Sequence, residues 1–115
     1  MTRRVFEVAL MASAITAGAV AMSATSVAVA AAPSASVKIA NFTFQAPVVT
    51  VKPGTVVTWA NDDDIPHTVT ANNGAFKSKV LDSGDRFSFT FAKAGEYAYF
   101  CSLHPRMTGK IIVKG

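Results

Sequence analysis

The sequence predicts an all-β fold, an antiparallel sandwich or barrel, preceded by a signal peptide. Three observations lead there. From Ser36 to the C-terminus the chain is a series of short apolar segments separated by Gly, Pro and Asn turn signals. One of them, Arg86 to Phe91, alternates strictly, with Phe87, Phe89 and Phe91 set against Ser88 and Thr90. No segment of this part carries a 3.6-residue apolar period.

The elements follow in order. Val37 to Phe44 places apolar residues at 37, 39, 42 and 44, and the change of parity after Ile39 predicts a bulge or bend near Asn41. Val48 to Lys52 is a second strand, closed by the turn pair Pro53-Gly54. Thr55 to Ala60 is β-branched and aromatic and reads as a third. His67 to Ala71 is expected to be a strand ended by Asn72-Asn73-Gly74. Ser83-Gly84-Asp85 turns the chain into Arg86–Phe91, and Ala94-Gly95 turns it into Glu96–Cys101. In that last strand Tyr97, Tyr99 and Cys101 share one face, and Lys110 to Lys114 closes the chain.

Ahead of these strands lies a segment of different character. Arg3 and Arg4 give a positive start, and Val8 to Ala32 is rich in Ala, Val, Met and Ser. The run ends in small residues that suit cleavage after Ala30. Residues 1–30 are therefore read as a signal peptide and 31–115 as one domain. The run is long enough to span a bilayer, but its Ser and Thr make it weakly apolar, so stable membrane association after cleavage is not expected. Thr2-Arg3-Arg4-Val5-Phe6 resembles a twin-arginine signal, from which Glu7 departs, so the Sec and twin-arginine routes to a periplasm both stay open.

Composition narrows the function. The chain has 11 basic and 7 acidic residues; without Arg3, Arg4 and Glu7 it keeps a net charge of about +3. The basic residues are scattered from Lys38 to Lys114 without a cluster, which argues against nucleic acid. A domain this small buries a modest core, and its single cysteine excludes an internal disulfide. A lone thiol in an oxidising compartment calls for an occupant, and a metal would also stabilise a small fold.

The chemistry concentrates in Cys101-Ser102-Leu103-His104-Pro105-Arg106-Met107, with a second imidazole upstream at His67. Beyond residue 30 the chain has one Cys, one Met and two His, and all four fall in these segments. Singly, each has an ordinary alternative: a buried apolar thiol, a hydrogen-bonded surface imidazole, a thioether filling the core. Together they form the trigonal His₂Cys set with an axial Met that holds one copper ion cycling between Cu(I) and Cu(II). Zinc suits His, His and Cys with a water, but a thioether such as Met107 adds little for that ion.

These segments, with Pro53-Gly54-Thr55-Val56-Val57-Thr58-Trp59, Gly95-Glu96-Tyr97 and Gly109-Lys110-Ile111-Ile112-Val113, resemble the cupredoxins. Within that family the short gap from His104 to Met107 is similar to the amicyanin and plastocyanin-like group. The resemblance implies an eight-stranded Greek-key β-sandwich with copper at one end, and one-electron transfer without substrate chemistry, so no enzyme. It also implies that the Thr68 backbone N–H donates to the Cys101 sulfur, and the Thr68 side chain could tie the loop to Ser102. Thr68 stands where Asn is common, Leu103 where Pro is common, and Arg106 where an apolar residue is usual.

By the same resemblance, transient redox partners dock at an apolar patch around His104, with Ile65, Pro66, Leu103 and Pro105 nearby, and the protein is a monomer. Asp62-Asp63-Asp64 reads as a solvated loop with Asx-type turns, or else as a steering charge for a basic partner. Phe100 points away from Cys101, and is read as an aromatic on the sheet exterior. Lys77, Lys79, Lys93 and Lys114 read as exposed charges. The competing function is a copper carrier or chaperone that passes on the ion itself; extra surface Met or His would favour it, and the sequence has none. A non-catalytic module of a larger copper enzyme ranks last, since no second metal set is present.

Overall fold

The computed structural model describes residues 32–115, so the signal peptide expected over residues 1–30 lies outside the described residues. The described chain forms eight strands: β1 (Ser34–Ala40), β2 (Thr43–Phe44), β3 (Val48–Val51), β4 (Thr55–Asn61), β5 (Thr70–Ala71), β6 (Arg86–Phe91), β7 (Gly95–Cys101) and β8 (His104–Val113). They build two four-stranded sheets, β2-β1-β4-β6 and β3-β8-β7-β5, the eight-stranded Greek-key sandwich that the resemblance implied.

The sheets are mixed rather than purely antiparallel. β1 runs parallel to β4, pairing Val37 with Trp59, and β3 runs parallel to β8, pairing Val49 with Ile111. Topology is the cause. After β2 the chain crosses to the other sheet for β3, so β4 returns alongside β1 in the same direction. Alternation in sequence cannot reveal this, because the pleat has period two in either orientation.

Local chemistry explains the turns. Thr55 N donates to Lys52 O at 3.1 Å across Pro53-Gly54, and Gly54 takes φ +92°, a type II geometry that Pro and Gly favour at those positions. The parity change at Asn41 proves to be a complete hairpin: Ala40 pairs with Thr43, and Asn41 and Phe42 at its tip have φ +58° and +57°. Two positive φ values are what a two-residue hairpin requires, and Asn tolerates them better than Phe does. The phenylalanine there costs on the order of 1 kcal/mol or more against glycine.

Two strand expectations need correction. His67–Ala71 contributes only Thr70–Ala71 to a sheet, because residues 62–69 are held instead by side chains and by an isolated His67–Leu81 bridge. The final strand begins at His104, six residues earlier than Lys110, as the metal-loop residues pair back onto β7.

The core lies between the sheets. Trp59 is fully buried, in ring contact with Phe76, Phe87, Phe91 and Tyr99. Val37, Ile39, Phe44, Val57, Leu81 and Ile111 are buried with it. Tyr99 is buried beside Trp59, and neither its hydroxyl nor the indole N–H completes a hydrogen bond. Burial pushes the Tyr99 hydroxyl up to about 12, so it stays neutral under ordinary conditions. Across the β7–β8 ladder Tyr99 pairs with Gly109, and a Cβ on Gly109 would lie 2.4 Å from Tyr99 Cζ. Gly109→Ala should therefore destabilise the domain by about 1–3 kcal/mol, through a displaced ring or strand. Chemical denaturation would measure this, and an unchanged midpoint would show that the ring moves freely.

Candidate metal centre

The ends of three segments meet at one pole of the sandwich. β7 delivers Cys101 as its last residue, fully buried and on the same inward face as Tyr99. In the regular ladder Phe100 pairs with Thr108, and one step further would bring Met107 opposite Cys101. Instead Cys101 pairs with His104, so Pro105, Arg106 and Met107 are surplus and form a bulge over the strand end. Met107 is 5% exposed and packs in the core cluster with Cys101, while Pro105 and Arg106 face solvent.

His67 arrives from the β4–β5 loop and is completely buried. Buried Asn61 shapes this loop. Its side-chain amide donates to Ile65 O and Leu81 O, both at 2.9 Å, and its Oδ1 accepts from Asp63 N at 2.9 Å. Asp63 is thereby turned inward, where its Oδ2 lies 2.9 Å from His67 Nε2. The same oxygen accepts the Phe42 N–H at 3.0 Å. The Phe42 N–H, and next the His67 contact, hold the Asp63 carboxyl below the usual carboxylate range. An ionised carboxylate only accepts, so the His67 proton sits on Nε2 and leaves the Nδ1 lone pair free.

That lone pair points to the cysteine. His67 Nδ1 is 3.8 Å and His104 Nδ1 is 3.6 Å from Cys101 Sγ, and the donor atoms of the three residues all lie within 4.8 Å of one another. An ion held trigonally at about 2.0 Å from nitrogen and 2.3 Å from sulfur would place each nitrogen about 3.7 Å from the sulfur, close to the two nitrogen–sulfur distances here. The residues fit a metal, and the pairing of two imidazoles with soft sulfur fits copper in both its oxidation states.

The surrounding bonds hold the cysteine in place. Thr68 N donates to Cys101 Sγ at 3.3 Å, as the resemblance implied. Thr68 Oγ1 accepts from Ser102 N at 2.7 Å and lies 2.8 Å from Ser102 Oγ, so one threonine side chain joins the two ligand loops. Ring contacts add to this. His67 and His104 lie 5.0 Å apart between centroids, and Phe42 meets both edge-on, at 5.6 Å and 5.0 Å.

All three nitrogen and thiolate donors expected from sequence thus converge, and Met107 is buried at the same strand end. Sequence reasoning did not identify Asp63 as the support of His67. A carboxylate four residues before a ligand is a signal, but three consecutive aspartates share it, and only the Asn61 bonds decide which turns in. Phe42 was missed too, because the hairpin that carries it to the site is a tertiary arrangement.

A family model described as a cupredoxin-like domain matches residues 11–113. The chain belongs to the cupredoxin-like domain family. Among relatives of this cupredoxin, Amicyanin-alpha from Methylorubrum extorquens is 39% identical over 114 residues, covering 95% of this chain and 96% of that protein. The amicyanin of Paracoccus versutus is 37% identical over 83 residues, 68% of this chain and 63% of that protein. Plastocyanins are also related. Of solved structures, a purple cupredoxin from Nitrosopumilus maritimus superposes with a TM-score of 0.66 at 34% identity, over 70% of this chain and 99% of that one.

Proposed function

We propose that this cupredoxin is a type 1 (blue) copper protein that carries single electrons, with His67 Nδ1, Cys101 Sγ and His104 Nδ1 as the trigonal ligands and Met107 as the axial one. The observation that carries this reading is the convergence of three donor atoms, two of them on fully buried residues, at a spacing that suits one ion. A bound copper would take up and release one electron between Cu(II) and Cu(I). The protein's part is to keep the ligands in one arrangement for both states. Asp63 holds His67, and the Thr68–Ser102 bonds hold the cysteine loop, so little needs to move. Its kinship with amicyanins and plastocyanins supports a carrier rather than an enzyme.

Partners would dock transiently around His104. Phe42, Leu103 and Ile65 are large apolar side chains exposed by 49%, 48% and 37%, and they lie on the loops that bear or flank the ligands. Such a patch suits a small, short-lived redox interface. The remaining assignments complete the proposal: residues 1–30 are a cleaved signal peptide, 31–115 the mature domain, and the protein acts in the periplasm as a monomer. The positive start at Arg3 and Arg4 and the small-residue run ending at Ala30 support the export reading.

The rival reading, a carrier of copper itself, predicts ready release of the ion. Copper-loaded protein mixed with a strong chelator separates the two: slow loss with reversible one-electron redox supports electron transfer, and transfer of copper within seconds supports delivery. Arg106, exposed in the ligand loop, adds a permanent positive charge that favours Cu(I) over Cu(II). Arg106→Ala should lower the reduction potential, on the order of tens of millivolts. A potential that stays constant or rises in voltammetry would refute that role.

A further inference from the structure

We infer that Phe42 is a positioning residue of the metal centre, an aromatic brace that fixes the ring plane of His104 and closes the open side of the site to small ligands from solution. This role presupposes the copper centre proposed above. The two imidazoles are supported unequally. His67 is buried and tied through Nε2 to Asp63. His104 is only partly buried, and among the described residues its Nε2 makes no hydrogen bond to the protein.

Rings support His104 instead. Phe42 meets it at 5.0 Å between centroids and 89° between planes, and meets His67 at 5.6 Å and 90°. Perpendicular contacts of this kind are favourable and directional. One side chain therefore bridges both candidate ligands, and among the described residues it is the only phenylalanine, tyrosine or tryptophan in ring contact with either.

The backbone points the same way. Phe42 has φ +57° directly after Asn41 at +58°, a conformation that glycine adopts without strain and a bulky aromatic does not. The ring does not compensate by entering the core, being 49% exposed. What holds the turn is the Phe42 N–H bond to Asp63 Oδ2, the same oxygen that His67 Nε2 contacts. Hairpin tip, brace and buried imidazole thus hang on one carboxylate oxygen. Strain kept at a residue whose ring contacts are both candidate ligands marks a position selected for the site rather than for the turn.

Phe42→Gly, Phe42→Leu and Phe42→Tyr in the purified protein test this, with two readouts. In the metal-free protein, NMR line shapes of the His104 ring report its order. In the copper-loaded protein, titration with azide followed by visible and electron paramagnetic resonance spectra reports access to the metal. Phe42→Gly and Phe42→Leu should broaden the His104 signals and lower the azide concentration needed by about tenfold, while Phe42→Tyr stays close to wild type. Phe42→Gly should not lower the unfolding midpoint, because it relieves the strained turn. Should Phe42→Gly fail to fold, the Leu and Tyr pair decides, since leucine fills space without the ring edge. Wild-type line shapes and azide response in Phe42→Leu would overturn the inference. A wild-type protein that takes up no copper would overturn the proposed function instead, and the metal-free NMR comparison would still decide the brace.

Discussion

Cys101→Ala is expected to leave a folded but colourless protein. The thiolate would be the only anionic ligand in the set, and the blue colour of a type 1 centre arises from charge transfer between thiolate and copper. Cys101 is also a small side chain in a well-populated core, so alanine removes little packing volume. His67 and His104 would still converge, and the variant should retain weak Cu(II) binding through its imidazoles. Visible absorption and competition with a chelator would measure both effects. A variant that keeps the intense band would show that the thiol is not a ligand.

Asp63→Ala is expected to weaken copper binding by about 10–100-fold, the usual effect of removing the partner of a metal-bound histidine. It would remove one acceptor from two donors, the His67 Nε2–H and the Phe42 N–H. Asp63→Asn keeps an acceptor oxygen without the charge and should fall between alanine and wild type. The pH dependence has a definite sign. The carboxyl titrates below the ordinary aspartate range in the folded protein, chiefly through the Phe42 N–H and then through His67. Its contribution is therefore complete above the ordinary value and is lost as pH falls through the lowered one. Acid unfolding of wild type and Asp63→Ala should converge there. Equal copper affinity in the two proteins would remove Asp63 from the site.

The all-β class was legible because Phe87, Phe89 and Phe91, and then Tyr97, Tyr99 and Cys101, alternate with polar or outward residues as the period of a half-buried strand demands. The convergence of His67, Cys101 and His104 was legible because the chain beyond residue 30 has so few candidates. The parallel pairings β1–β4 and β3–β8 were not, since they follow from the path between sheets rather than from any residue. The loop around His67 reads as a strand in sequence because His-Thr-Val-Thr-Ala alternates well. Asn61 overrides that local pattern by satisfying backbone groups at Ile65 and Leu81 with its own side chain. Asp63 was hidden in a triplet of identical residues, and Phe42 was hidden in a parity change that a bulge explains equally well. Both depend on contacts between residues about twenty apart in sequence, as with Phe42 and Asp63.

The exposed lysines behaved as expected, with Lys77, Lys79, Lys93 and Lys114 all at the surface. Phe100 is half-buried on the face opposite Cys101, between Thr70 and Thr108. Phe42, Ile65 and Leu103, by contrast, are exposed apolar side chains on segments that bear or flank the candidate ligands.

The proposed centre holds one copper ion between His67, Cys101, His104 and Met107 that changes oxidation state there. Its most direct test is to add Cu(II) to the purified metal-free protein, record the visible spectrum, and titrate the product with a reductant and then an oxidant. One equivalent should bind, with an intense blue band and reversible bleaching by one electron per protein. A colourless complex, or a band that does not return on reoxidation, would contradict it.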